Sequence, residues 1–256
     1  MRKRHERKAV DYGGGSPWEL KIREGKMKYH FIVGLLSLGL LLAGCNNATR
    51  KSTEMETPEK KIEELMKQAE EGDAGAQFSL GVMYYEGEGV PKDESRAFEW
   101  FQKAAAQGYS NAQFNLGWMY AKGEGVSKDA TKAVEWYQKA AAQGQTDAQF
   151  NLGVMYAKGE GVPKDATKAV EWYQKAAAQG QARAQLSLGR MYFLGTGVPK
   201  DKVLAYAWTN LSAVGEPGMV KPRDILEKLL TTSERAEAQS LSSRWKIGEV
   251  LNREGR

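Results

Sequence analysis

The chain has 256 residues, with 37 Lys and Arg against 32 Asp and Glu, so its formal net charge is +5. Residues 1–44 carry nine of the basic and four of the acidic residues, which leaves 28 of each sign in residues 45–256. The basic excess therefore belongs to the N-terminal segment. A neutral remainder argues against the extended basic surface that nucleic-acid-binding proteins use.

A secretion signal is predicted in residues 27–44. A short basic opening at Met27 precedes an apolar run over residues 31–42, and the tetrapeptide Leu-Ala-Gly-Cys then ends at Cys45, the only cysteine. A run of roughly 12 residues is too short to span a bilayer comfortably and is typical of a cleaved signal. The tetrapeptide resembles a bacterial lipobox, which implies lipidation at Cys45. The alternative is an ordinary signal followed by an unrelated cysteine.

The segments on either side of this signal are polar. Residues 1–26 carry charges of both signs and no apolar run, so we interpret them as an upstream extension and predict Met27 as the true start. A longer cytoplasmic n-region is the alternative. Residues 45–59 lack periodicity and are predicted to form the lipidated N-terminus and a flexible tether. In the lipobox resemblance, Asn46 rather than Asp after the cysteine implies an outer-membrane lipoprotein that faces the periplasm.

From residue 60 onwards the sequence repeats with an offset of 36 residues. Residues 115–144 recur at 151–180 with two changes, since Val154 replaces Trp118 and Pro163 replaces Ser127. Repeats of this length indicate stacked supersecondary units, none of which can bury its apolar face alone. The sequence therefore predicts a solenoid.

Each unit is predicted to contain two helices. In the second unit, the first helix has an inward-facing stripe of Ala112, Leu116, Met119 and Tyr120. Gly117 lies in this stripe and allows a neighbouring helix to approach closely. Gly123 breaks this helix, Asp129 caps the next one, and Gly144 ends that one. The residues predicted to be buried by the second helix are Ala133, Trp136, Ala140 and Ala141. Trp136 and its counterpart Trp172 are predicted to be interlocking core residues of neighbouring repeats.

These residues resemble the Sel1-like repeat family, which is related to the tetratricopeptide repeats. The signature A-x-x-x-L-G-x-x-Y-x-x-G-x-G-V-x-x-D-x-x-x-A-x-x-W-x-x-x-A-A fits residues 76–105, 112–141 and 148–177, and residues 184–213 depart from it only at Ser212. The resemblance implies an all-α fold, a right-handed α/α superhelical solenoid of about four repeats with a C-terminal helical cap. The expected segments are a half-repeat helix at 60–72, repeats at 73–108, 109–144, 145–180 and 181–216, and capping helices at 217–256.

The C-terminal segment is predicted to cover the last repeat. Residues 203–214 are largely apolar and need a cover. One short amphipathic helix is predicted from Ile225, Leu226, Leu229 and Leu230. A second is predicted to start at a Thr232 cap and to turn Ala238, Leu241 and Trp245 inward.

The residues needed for most catalytic and metal chemistry are missing from the mature sequence. His5 and His30 are the only histidines, and both precede Cys45. This excludes Ser-His-Asp and Cys-His catalysis and His/Cys metal sites, so we predict no catalytic residue, no cofactor and no metal. Gly123-x-Gly125, Ser243-x-x-Lys246 and the pair Glu86 and Glu88 have simpler interpretations as a turn, a chance match and solvated side chains.

A candidate partner groove is predicted from the positions that vary between repeats. They form one stripe on the first helices, and in tetratricopeptide-like solenoids such helices line the concave face. The candidate groove residues are Asn111, Asn115, Trp118, Lys122, Asn151, Lys158, Arg183 and Arg190. Trp118 is predicted to anchor the partner, and the two asparagines to hold its main chain. Drift on a solvated face is the alternative.

The function predicted from this pattern is a non-catalytic scaffold of the bacterial cell envelope. Four of the stripe residues are basic, so the expected partner is an envelope protein or peptide with acidic groups or a free C-terminal carboxylate. The membrane is expected to be reached through the lipid at Cys45. Two alternatives stay open: a cell-wall hydrolase, an activity attributed to some family members, and a structural spacer without a specific ligand.

Overall fold

The computed structural model describes residues 58–253, which form eleven α-helices and one short 3-10 helix, Pro217–Met219. The α-helices are α1 (Pro58–Glu70), α2 (Ala74–Glu86), α3 (Glu94–Ala106), α4 (Ser110–Lys122), α5 (Ala130–Ala142), α6 (Thr146–Lys158), α7 (Ala166–Ala178), α8 (Ala182–Leu194), α9 (Lys202–Gly215), α10 (Val220–Glu227) and α11 (Thr232–Arg244). Helices α2 to α9 alternate as the first and second helices of four repeats. The predicted all-α solenoid is confirmed.

The predicted signal peptide, Cys45 and nearly all of the tether lie outside the described residues. Within residues 58–253, none of the helices combines the length and the apolar character that a membrane crossing requires.

The helix ends follow the sequence signals. Gly123 ends α4 with φ +79°, a left-handed conformation that glycine adopts without steric strain. The Asp129 carboxylate accepts from the backbone N–H of Lys132 at 3.0 Å and caps α5. Because the other three repeats use the equivalent aspartates in the same way, each inter-helix turn has the same geometry.

Two glycines of each repeat allow close contacts that a side chain would prevent. A Cβ on Gly117 would lie 2.6 Å from Cδ1 of Tyr137, the ring that packs across the two helices of repeat 2. A Cβ on Gly125 would lie 2.2 Å from the carbonyl oxygen of Glu94 in repeat 1. Gly117 therefore sets the distance within a repeat, and Gly125 the distance between repeats.

The aromatic residue at the centre of each second helix differs from the one predicted. Tyr137 is 2% exposed, whereas its neighbour Trp136 is only partly buried. Trp136 packs against the cores of both repeat 1 and repeat 2, so it does link neighbouring repeats. Its outer side carries the Lys139 ammonium, whose Nζ lies 4.0 Å from the ring centroid. The prediction that Trp136 and Trp172 are core residues was wrong in this respect, since both lie at the edge of the core.

Successive repeats are joined by glutamine side chains. The buried Gln113 of repeat 2 donates from Nε2 to the carbonyl oxygen of Ala105 in repeat 1, at 3.3 Å. Gln143 then donates to Oε1 of Gln113 and to the carbonyl oxygen of Gly108, at 2.8 and 2.9 Å. The same pattern joins α1 to repeat 1 and repeat 2 to repeat 3. These bonds satisfy carbonyl groups at the ends of the second helices.

Repeat 4 is closed by the C-terminal helices, as the sequence predicted. Helix α9 is buried along most of its length, and Trp208 is 0% exposed. The details of the cover differ from the prediction. Helix α10 ends before Leu229, which is 47% exposed, and Ile225 is 63% exposed. The cap of α11 is Thr231, one residue earlier than predicted, and it forms a capping box with Glu234.

The chain after α11 returns to the repeats. Trp245 packs edge-on against Trp208, with ring centroids 6.5 Å apart. The backbone N–H of Gly248 then donates to the carbonyl oxygen of Ala178 at the end of α7, at 2.7 Å. Finally Arg253 reaches the N-terminus of α9. We call residues 245–253 the tail.

Candidate functional site

The candidate groove residues lie at accessible or half-accessible positions of the first helices. Asn111, Lys122, Lys158 and Arg190 are exposed, and Asn115, Trp118, Asn151 and Arg183 are half-buried. Adjacent first helices are in contact on this surface. The guanidinium of Arg183 in α8 stacks on the Phe150 ring of α6, with Cζ 5.1 Å from the ring centroid. We call this surface the first-helix face.

Trp118 is held by its neighbours and is not a freely exposed side chain. Its indole Nε1 donates to Oε2 of Glu124 at 3.2 Å. The Lys122 ammonium lies over the ring, 4.7 Å from the centroid. Glu124 also accepts from the Tyr85 hydroxyl at 2.5 Å, so one carboxylate joins two aromatic side chains from adjacent repeats. These contacts hold the ring of Trp118 in one orientation.

Tyr85 belongs to the same cluster. Burial and then the Glu124 carboxylate, which accepts a hydrogen bond from the hydroxyl, raise the pKa of Tyr85 well above its usual range. The hydroxyl therefore keeps its proton at neutral pH and remains the donor to Glu124.

The two asparagines have different surroundings. Asn151 lies within hydrogen-bonding reach of the Tyr137 hydroxyl, so part of its polar capacity is used between repeats 2 and 3. At the equivalent place beside Asn115, repeat 1 has Phe101, which has no hydroxyl group. Of the two asparagines, Asn115 therefore has more capacity for a ligand's main chain.

The first-helix face is less basic than its stripe of variable residues predicted, because acidic loop residues lie beside it. Lys158 forms an ion pair with the loop residue Glu160 at 3.5 Å, and Glu124 lies beside Trp118 and Lys122. Repeat 4 is the exception, because Thr196 replaces the loop glutamate that the other repeats carry at this position. Arg183 and Arg190 therefore concentrate the positive charge of this face at its C-terminal end.

Two observations on the described residues concern metal sites and pockets. No group of three His, Cys, Asp or Glu side chains there is arranged to hold a metal ion. One open depression is lined by Lys200, Asp201, Lys202, Val203, Glu234 and Arg253. Its Asp201 carboxylate caps α9 and accepts from Arg253, so it is engaged in structural contacts.

Sequence reasoning missed Tyr85 and Glu124 as parts of this site. A signal for Tyr85 was available, because the equivalent positions are Ala121, Ala157 and Phe193. Tyr85 is thus as specific to its repeat as Trp118 is to the next one. Glu124 carried no such signal, since repeats 1 and 3 have glutamate there as well.

One family matches the chain along its repeats. The profile of the Sel1 repeat matches residues 74–109, 110–145, 146–181 and 182–213. Each matched unit begins at or next to the first residue of a first helix, and together they cover more than half of the chain.

Two solved structures are similar over most of the described region. A Sel1 repeat protein from Oxalobacter formigenes is 39% identical, with a TM-score of 0.61, and the match covers 68% of this chain and 50% of that one. A protective antigen of uropathogenic Escherichia coli strains, displaying an SLR fold, is 35% identical with a TM-score of 0.50. That match covers 73% of this chain and 48% of the antigen. The chain thus spans about half the length of these two proteins. No curated protein matches the chain significantly.

Proposed function

The chain belongs to the Sel1 repeat family, and from that premise we propose that it is a non-catalytic scaffold that binds an extended segment of another protein on its first-helix face. The observation that carries this proposal is the difference between two nearly identical repeats. Within residues 115–144 and 151–180, the only substitution on a helix is Trp118 against Val154, and it lies on this face. The other helical residues of the two repeats are identical over these ranges, so the difference is a change of one side chain on an otherwise repeated helix.

Trp118 has the properties of an anchor for a partner. Tryptophan is enriched among the residues that contribute most to protein interfaces. Here the ring is oriented by Glu124 and Lys122 and stays half-exposed. An apolar side chain of the partner packs against the accessible part of the ring, and Asn115 binds the partner's main chain one turn away.

The partner segment that fits this face carries acidic groups or a free C-terminal carboxylate towards repeat 4. Arg183 and Arg190 lie there, and the repeat has no loop glutamate. Charge complementarity of this kind increases the association rate and sets the direction in which the segment lies. Binding is therefore expected to weaken as the salt concentration rises.

We also propose that the protein works in the cell envelope. The support is the sequence around Cys45, which combines an apolar run, the tetrapeptide Leu-Ala-Gly-Cys and a polar tether. A lipid on Cys45 places the repeats at a membrane surface, where they can contact envelope proteins. Asn46, the residue after the cysteine, favours the outer membrane.

The proposal is tested by photo-crosslinking from position 115 in cells, followed by a pull-down of the captured protein with purified variants. Trp118→Val gives repeat 2 the residue that repeat 3 has at the same position. We expect it to weaken binding on the order of tenfold or more. The reciprocal change Val154→Trp is the matched control and should leave the affinity unchanged or increase it.

Charge reversals test the direction of the segment. Arg183→Glu with Arg190→Glu should weaken binding more than Lys122→Glu with Lys158→Glu, while circular dichroism stays unchanged in both. Equal recovery of the same partner by wild type, Trp118→Val and both double variants places the binding surface elsewhere and contradicts the proposal. If no protein is ever captured, the spacer alternative is favoured. Turnover of cell-wall material by the pure protein favours the hydrolase alternative.

A further inference from the structure

A recurring tryptophan site lies on the second helices, away from the first-helix face. Each site consists of the tryptophan of one second helix and the last carbonyl group of the preceding second helix. In repeat 4 these are Trp208 and the carbonyl of Ala178, and the tail binds both through Trp245 and the Gly248 N–H. Gly248 follows Trp245 by three positions, and the chain between them forms a turn, in which the backbone N–H of Glu249 donates to the carbonyl oxygen of Lys246 at 3.1 Å.

The same site recurs one and two repeats earlier without such a cover. Its counterparts are Trp172 with Ala142, and Trp136 with Ala106. Ala142 and Ala106 are exposed, whereas Ala178 beneath the tail is not. Repeat symmetry therefore places an accessible tryptophan edge and a helix-end carbonyl at the same spacing that the tail already bridges in repeat 4.

One residue distinguishes the covered site from the open ones. Lys139 and Lys175 lie over Trp136 and Trp172, with Nζ 4.0 and 4.1 Å from the ring centroids. The equivalent residue in repeat 4 is Leu211, which packs against the core beside Trp208. An exposed lysine on a flexible stem is displaced easily, and its ammonium returns to water.

We propose that the tryptophan sites of Trp136 and Trp172 form a second protein-binding surface, which takes a partner segment that makes a turn, in the manner of the tail. The segment supplies an aromatic side chain to the tryptophan ring and, three residues later, a main-chain N–H to the helix-end carbonyl. The chain's own tail is already bound at Trp208, so the occupant is a segment of another protein. This surface is separate from the first-helix face, and neither proposal depends on the other.

The test uses a fluorescent peptide with the sequence of residues 241–253 as the probe, and the chain from residue 46 onwards with its own tail intact. Fluorescence anisotropy measures the affinity for wild type and for Lys175→Leu, which gives repeat 3 the leucine that repeat 4 has. We expect Lys175→Leu to bind the peptide roughly tenfold more tightly, because the ring is uncovered and an apolar contact is added. Lys164→Leu, an equal change in a loop of the same repeat, should behave as wild type.

Crosslinking locates the bound peptide. A benzophenone in place of the peptide's tryptophan should label residues of α5 and α7 near Trp172, and a peptide with alanine there should not bind. Labelling confined to α9 and α11 means that the peptide only exchanges with the tail, and this overturns the proposal. Equal affinities of Lys175→Leu and Lys164→Leu, or no binding to any variant, overturn it as well.

Discussion

Arg253 donates from Nη1 to Oδ2 of Asp201 at 3.2 Å, across 52 residues of chain. In repeats 1 to 3 the equivalent aspartate pairs with a cation three residues later, as Asp129 does with Lys132 at 3.9 Å. Repeat 4 has Leu204 at that place, so the tail supplies the missing cation. Arg253 also forms a two-pronged contact with Glu237 of α11, and thereby ties the cap to the last repeat.

Arg253→Ala should loosen this attachment. The side chains are partly exposed, so we expect a loss of only about 1 kcal/mol in the free energy of unfolding. The sharper readout is hydrogen exchange, because the Gly248 amide should exchange faster when the tail detaches. Arg244→Ala is the control, since the Arg244 guanidinium donates to the Ser240 carbonyl oxygen of its own helix at 3.1 Å. Unchanged protection of Gly248 in Arg253→Ala would show that the tail is held by Trp245 and Leu251 alone.

Tyr137→Ala should destabilise the protein more than Trp136→Ala. Tyr137 is almost fully buried against Gly117, and truncating a buried aromatic residue typically costs about 3–5 kcal/mol. Trp136 is partly exposed, so its truncation removes less buried apolar area and leaves a smaller cavity. Denaturant midpoints measure both changes. Tyr137→Phe keeps the ring and removes the hydroxyl near Asn151, and should cost about 1 kcal/mol. A larger shift for Trp136→Ala than for Tyr137→Ala would contradict this packing.

Stability should fall at high pH because of buried tyrosines. Burial raises the pKa of Tyr173 to about 12, compared with about 10 in an unfolded chain. Below pH 10 the hydroxyl is protonated in both states and stability is unaffected. Between pH 10 and pH 12 only the unfolded state releases the proton, so up to about 3 kcal/mol is lost. Tyr173→Phe should reduce this loss in urea titrations at pH 9 and pH 11.5. An identical pH dependence in this variant would show that Tyr173 ionises freely in the folded state.

Cys45→Ser should abolish attachment to the membrane. The change removes the only thiol of the chain, which is the group that a lipobox presents for lipidation. Cell fractionation and the mass of the mature N-terminus measure the effect. Ser52→Ala in the tether is a control that should leave both unchanged. Membrane attachment and processing of Cys45→Ser at wild-type levels would leave the lipoprotein interpretation without support.

The fold could be predicted from the sequence because the same signals for helices, turns and close contacts occur in each of the four repeats. Asp129 and Gly123 act through local geometry, and their positions in the repeat are sufficient to assign their roles. The aromatic core was harder to predict. Trp136 and Tyr137 are neighbours with the same periodicity, and only the packing against Gly117 decides which of them is buried.

The candidate site could be predicted only in outline. The variable stripe identified Trp118, since a substitution between identical repeats is visible in the sequence. Its pairing with Glu124 and Tyr85 was not visible, because those residues come from a loop and from another repeat. Gln113 recurs in all four repeats and Gln143 in the first three, so the repeat pattern marks both positions as structural.

The glutamine bonds have a consequence for how the chain changes over generations. Repeat 3 offers its neighbours the same donors and acceptors as repeat 2, so an additional 36-residue copy inserted between them would meet matching chemistry on both sides. A gene with such a duplication is expected to encode a longer solenoid that folds at once, without compensating mutations. The glutamine pattern ends at repeat 4, where Gly215 occupies the position of the donating glutamine. The length of the protein can thus be adjusted by unequal recombination in the interior while both of its ends are kept.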